Sequence, residues 1–215
     1  MERYGTRERL FAAALAGLAG YVDAVGFVQS KGFFVSFMSG NSTRLGVGLT
    51  ASMADALAAT GLLTAFLLGV TGGSLVGRAS EKNRAPAVLI TVAVLLSVAA
   101  AIGLLGSPKS SLALTAFAMG AVNATLDHQG RVRIGLTYMT GSVVKAGQAL
   151  ADRLTGRAGE WLPPLILLVG FVFGAAGGAI VANAYGFDAL WIASAAAIAL
   201  AAVGWTISGA LAESQ

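Results

Sequence analysis

The chain has no cysteine and a single histidine, His128. Disulfides, thiol catalysis and thiolate sites for zinc or iron–sulfur clusters are excluded, as is a metal site built from several histidines. Charge is scarce too: 11% of the 215 residues carry it, against 56% that are hydrophobic. A soluble domain of this size needs far more polar surface, so composition places the chain in a membrane. The 14 Lys and Arg side chains, against 10 acids, gather at the borders of apolar runs instead of forming a stripe. That distribution suits a cytoplasmic membrane face and argues against nucleic acid as a partner. No Ser/His/Asp arrangement, His-Glu helix motif or glycine-rich nucleotide loop is present, so neither enzymatic chemistry nor a cofactor is expected.

What the chain does contain is glycine, 29 residues of it, and a doubled pattern. Gly20-Tyr21-Val22-Asp23-Ala24 is answered by Gly120-Ala121-Val122-Asn123-Ala124. Phe37-Met38-Ser39-Gly40-Asn41-Ser42-Thr43-Arg44 is answered by Tyr138-Met139-Thr140-Gly141-Ser142-Val143-Val144-Lys145. Two halves follow, residues 1–106 and 107–215. Six runs are long enough to cross a bilayer at about 20 residues each. They cover 10–28, 57–76 and 87–105 in the first half, and 111–126, 162–181 and 189–207 in the second. The three arginines before Leu10 read as the flank of a retained first helix, since Tyr21 and Asp23 interrupt the run and no cleavage pattern follows.

Segments 33–50 and 134–150 are different. Each opens on an aromatic or β-favouring patch, passes a Ser/Thr-Gly pair and continues at helical spacing past a basic residue. If both are re-entrant, eleven of the fourteen cations fall on one face and only Lys31, Arg44 and Lys109 on the other. The positive-inside rule favours that model, with both termini cytoplasmic in a bacterial inner membrane. The expected fold is therefore all-α: six transmembrane helices as two inverted three-helix repeats, each with a broken half-helix. Glycines at a spacing of four (Gly69, Gly73, Gly77; Gly170, Gly174, Gly178) let another backbone approach, either inside the bundle or across a homodimer interface.

The Met38-Ser39-Gly40-Asn41 and Thr137-Tyr138-Met139-Thr140-Gly141 signatures, with the Gly20 and Gly120 motifs, resemble the YoaK-like bacterial family. The resemblance covers nearly the whole chain. It implies a multi-spanning membrane protein of unknown function and supplies no substrate.

Half-helix N-termini carry unpaired N–H groups and partial positive charge. Ser39-Gly40 and Thr140-Gly141 mark them, with Ser39 and Thr140 as expected caps. Two such ends near the midplane would suit an anion or small polar solute. Asp23 and Asn123 hold matching places inside apolar runs. An intramembrane carboxylate must pair, face water or exchange a proton, so Asp23 is expected to pair with Arg44, to take a capping role or to couple protons. Arg44 and Lys145 form a duplicated cation. Asn41, Ser42 and Thr43 add neutral hydrogen bonds that Ser142, Val143 and Val144 largely lack, so the chemistry is expected mainly in the first half. The expected function is a small-solute transporter or channel; the alternative is an assembly or sensor protein acting through a partner.

Overall fold

A computed structural model describes residues 6–128, 131–132 and 139–212. Eight α-helices carry the fold: α1 (Thr6–Ser30), α2 (Met38–Ala51), α3 (Met53–Ala79), α4 (Arg84–Leu104), α5 (Pro108–Val122), α6 (Met139–Leu154), α7 (Leu162–Tyr185) and α8 (Ala189–Ala212). A two-residue antiparallel pair, Asp127–His128 against Arg131–Val132, follows α5, with Asp127 opposite Val132. Four stretches are long and apolar enough to cross a membrane: Arg9–Ser30, Met53–Ala79, Glu81–Leu104 and Leu162–Thr206. The last contains both α7 and α8, so together they hold five of the six expected helices. The sixth, α5, has only 15 α-helical residues before the backbone tightens into a 3-10 turn at Asn123–Leu126.

The helix ends follow from local chemistry. Lys31 takes a left-handed conformation (φ 58°) that stops α1, with the Gly32 amide bonded back to the Phe27 carbonyl. Ser52 is extended between α2 and α3, and its hydroxyl accepts the Asp55 amide as an N-cap. Pro108 opens α5, and Pro163-Pro164 lies in the first turn of α7, where their missing N–H costs nothing.

Glycine sets the packing. A Cβ on Gly20 would collide with the Phe171 carbonyl of α7, and one on Gly120 with the Phe66 carbonyl of α3. Gly174 lies against Gly17 and Gly178 against Tyr21, while Gly69 lies against Phe117 and Gly73 against Ala121. The two glycine ladders are thus spent inside the bundle. Residue numbers rise together across both interfaces, so α7 runs parallel to α1 and α5 parallel to α3. By contrast α4 and α8 are antiparallel: Ala85 and Pro86 meet Gly204, Ala93 and Ser97 meet Ser194, and Gly103 meets Phe187. Phe11 also meets Gly204, and the Tyr21 hydroxyl donates to the Ala189 carbonyl, which sets α1 antiparallel to α8. Since α4 and α5 form a hairpin, closed by Ser111 donating to the Ala99 carbonyl, the directions close. Helices α1, α4 and α7 point one way, and α3, α5 and α8 the other.

The core lies where α1, α4, α5 and α8 meet, around Leu15, Val22, Leu89, Leu96, Met119 and Leu190. Outward faces remain oily, with Leu57, Leu67, Phe173 and Ile180 well exposed. That pattern is what a lipid-facing surface requires.

Candidate functional site

After α1 stops, residues Lys31 to Phe37 turn back along it before α2 begins. Gly26 lies against Val35, and Asp23 against Val35 through Phe37. At 1.5 Å per helical residue, the segment returns about 10 Å below the end of α1. The following helix α2 has 14 residues, about 21 Å, which is short of a bilayer.

Asp23 holds this return. One carboxylate oxygen accepts the amides of Ser36 (2.7 Å), Val35 (2.9 Å) and, more distantly, Phe37 (3.4 Å). The side chain is only 5% exposed. Those amides directly precede α2, so the carboxylate occupies the electropositive entrance that a capping side chain or a bound anion would otherwise fill. Ser36 lies beside the same carboxylate, buried, with its hydroxyl off hydrogen-bond geometry.

Asn41 is fully buried and makes a reciprocal pair with Phe34: its Oδ1 accepts the Phe34 amide at 3.0 Å, and its Nδ2 donates to the Phe34 carbonyl at 2.6 Å. Asp23 and Asn41 therefore pin consecutive parts of one non-helical segment. The Phe34 ring packs between Phe27 and Phe37, with centroids 5.0 and 5.1 Å away. Gly40 lies under Phe34 and Phe37, where any Cβ would strike the rings. This glycine serves aromatic packing.

Several sequence-based expectations change here. The N-cap residue of α2 is Phe37, which offers no side-chain cap; Ser39 is the second helical residue and exposed. No side chain caps α2; Asp23 on α1 instead binds the amides just ahead of it. Arg44 does not pair with Asp23. Its guanidinium lies 4.7 Å from the Phe33 ring centre and beside Gly32, near the end of α1. Ser42 and Thr43 are exposed, and their hydroxyls bond back to the carbonyls of Met38 and Ser39.

In the second half, Asn123 is buried and donates to the Met119 carbonyl of its own helix at 3.0 Å. Ser142, the counterpart of Asn41, is also buried. Thr140, Gly141 and Lys145 are exposed on α6, and nothing among the described residues comes within 4 Å of a Cβ built on Gly141. Residues 133–138, including the Thr137-Tyr138 part of the motif, lie outside the described residues. Among the described residues α2 packs along α3 and α6 along α7; the two half-length helices do not pack on each other. Sequence reasoning passed over the backbone amides of Val35, Ser36 and Phe37 as Asp23's partners. It also passed over the hydroxyl pair Ser97–Ser194 (2.8 Å), where Ser194 also meets the Ala93 carbonyl.

Residues 11–203 match a family model described as a protein of unknown function, DUF1275. The chain is also 38% identical over 196 residues to UPF0700 transmembrane protein RA0705 of Rhizobium meliloti (strain 1021), covering 91% of this chain and 85% of that protein. No solved structure matches. The chain belongs to the DUF1275 family, as the resemblance carried by its doubled motifs implied, and it is a membrane protein.

Proposed function

We propose that this protein is a small-solute transporter or channel of the bacterial inner membrane, for an anion or polar metabolite. In this reading it has six crossings in two inverted halves, residues 1–106 and 107–215, with both termini cytoplasmic. The helix directions support the inversion: α1, α3 and α4 each run opposite to their counterparts α5, α7 and α8. Charge supports the orientation. The end of the bundle that holds the start of α1 carries Arg9, Arg78, Lys82, Arg84, Arg153 and Arg157, while the far end carries Lys31, Arg44 and Lys109. Trp161 and Trp205 sit at the cation-rich end and Trp191 at the other, as interfacial anchors do.

The single observation that carries the transport reading is the buried Asp23 carboxylate clamping a non-helical segment ahead of a half-length helix. Non-helical backbone at membrane depth is tolerated where protein or water satisfies it, which is how solute sites are built. Asp23 is then an internal stand-in for an anion at the α2 entrance, and protonation frees the segment to move. The solute site lies between the entrances of α2 and α6, with Asn41 and Asn123 as scaffold, Ser39, Gly40, Thr43, Thr140 and Gly141 along the path, and Arg44 and Lys145 as attracting cations.

A flux screen in proteoliposomes tests this. Transport of a solute identified with the wild-type protein should fall in Lys145→Ala and Arg44→Ala, and Asp23→Asn should abolish its dependence on a pH gradient. Undiminished transport in both cation variants would refute the site. Single cysteines at Lys31 and Lys82 should label from opposite sides, and labelling from one side would refute the six-crossing arrangement.

A second reading, an assembly or sensor protein, draws on a different observation. Ser39, Thr43, Gly46 and Thr50 on α2, and Thr140, Val144, Gly147 and Ala151 on α6, form matching exposed stripes of mostly small residues. A partner bound there would shield cysteines at Gly46 and Gly147 from labelling in native membranes but not after purification.

A further inference from the structure

The turn between α3 and α4 forms a cleft of about 440 Å³ lined by Arg78, Ala79, Ser80, Glu81, Lys82 and Asn83. That volume lies within the range of small-ligand sites, about 300–1,000 Å³. Among the described residues neither Arg78 nor Lys82 is paired with Glu81 or any other acid; the one ion pair there joins Arg9 to Glu160 at 3.3 Å. The Arg84 side chain crosses Gly77, with its Nε 2.6 Å from where a Cβ would stand, so glycine makes room for a third cation next to the cleft. Ser80 and Asn83 add a neutral hydroxyl and amide to the wall.

The corresponding turn between α7 and α8, built from Gly186, Phe187 and Asp188 after Tyr185, carries no cation and one acid. A tight helical turn at this place in the scaffold therefore does not need basic residues. The two turns lie at opposite ends of the bundle, so the positive-inside rule accounts for the sign of the charge at the α3–α4 turn. It does not account for a cleft that gathers two cations, unpaired with any acid among the described residues, beside a hydroxyl and an amide.

We propose that the α3–α4 cleft binds a phosphate-bearing anion, supplied in the membrane by the headgroup of an anionic lipid. The guanidinium of Arg78 matches two phosphate oxygens in a planar fork, and Lys82 adds a point charge. The cleft lies at the same end of the bundle as Trp161 and Trp205, the level at which headgroups sit. Basic pockets between membrane helices hold such headgroups. This inference stands apart from the transport reading.

The test is retention of phosphatidylglycerol by the purified full-length chain in detergent, read by native mass spectrometry. Phosphatidylcholine and inorganic phosphate serve as comparison probes. The wild type should retain phosphatidylglycerol over phosphatidylcholine, and the Arg78→Gln/Lys82→Gln double variant should lose about tenfold in that retention. Lys109→Gln, a cation at the other end of the bundle, should lose nothing. Both altered side chains are exposed, so an unchanged melting temperature excludes unfolding as the cause. Displacement of the lipid by millimolar inorganic phosphate would support the anion site and identify free phosphate as a competing ligand. Resistance to displacement would support the lipid as its occupant. Equal retention of the two lipids, or full retention by the double variant, would overturn the proposal.

Discussion

Asp23 and Asn123 stand at matching places in the doubled sequence and differ in what they can offer their surroundings. Asp23 reaches out of its helix to gather the amides of Val35, Ser36 and Phe37. Asn123 donates back to Met119, one turn earlier in its own helix, where α5 tightens. A carboxylate can only accept, so once buried it must find donors. The backbone amides ahead of α2 are a ready supply. A carboxamide both donates and accepts, and Asn123 meets its donor need one turn earlier in the chain. The repeat has kept the glycine packing of its scaffold and changed the charge of this polar junction.

The largest expected effect breaks this comparison at its stronger side. Asp23→Ala leaves buried amides without an acceptor and should cost about 3 kcal/mol, read as a lower midpoint of thermal unfolding in detergent. Asn123→Ala should cost less, about 1–2 kcal/mol, because a neutral amide makes weaker bonds than a charged carboxylate. Asp23→Asn keeps one acceptor oxygen and should fall between the two. Equal losses from both alanine variants would mean that the junctions are equivalent after all.

The next effect should be symmetric, because it probes what the halves share. Gly20→Ala and Gly120→Ala each push a methyl group into a backbone carbonyl of a neighbouring helix. Both should cost about 2 kcal/mol or more, since backbone cannot yield as a side chain does. Gly46→Ala and Gly147→Ala meet nothing among the described residues and should be close to neutral. A large difference between Gly20 and Gly120 would undo the equivalence of the two packing interfaces.

Much of this was legible in the sequence for a physical reason: long apolar runs and doubled glycine spacings record helix length and close approach directly. Segment 33–50 stood out because its aromatic patch and Ser39-Gly40 pair break the apolar pattern, and the structure does put a non-helical stretch and a short helix there. The partners of Asp23 and Asn41 stayed hidden. Asp23 was expected to neutralise Arg44 because side-chain charges are visible in a sequence, whereas a nest of backbone amides has no letter of its own. Ser39 was expected to cap α2 because caps are usually local; here α2 has no side-chain cap, and the polar contact at its entrance comes from another helix. The apolar composition of 111–126 gave no sign that the backbone would tighten at Asn123.

The third effect returns to asymmetry. Asn41→Ala strands both the amide and the carbonyl of Phe34 in a buried place and should cost about 2 kcal/mol. Ser142→Ala on α6 removes only a hydroxyl and should cost less than about 1 kcal/mol. Limited proteolysis between Lys31 and Phe37 should speed up in Asn41→Ala, since the pinned segment is released. Unchanged cleavage there would mean that Asp23 alone holds it.

The smallest effect separates the two duplicated cations. Arg44 stacks over the Phe33 ring at 4.7 Å, a contact worth about 0.5–1 kcal/mol at a partly exposed site. Removing it should lower stability by that amount and disturb the Phe33 environment next to the end of α1. Lys145 is exposed, with no ion pair or ring contact among the described residues, so Lys145→Ala should leave unfolding unchanged. A cation that contributes nothing to the fold and yet recurs at the place of Arg44 is the cleaner probe of solute attraction. Loss of flux with unaltered stability in Lys145→Ala would assign that attraction to the second half. A stability loss in Lys145→Ala equal to that in Arg44→Ala would instead make both cations parts of the scaffold and remove the reason for assigning them to a solute path.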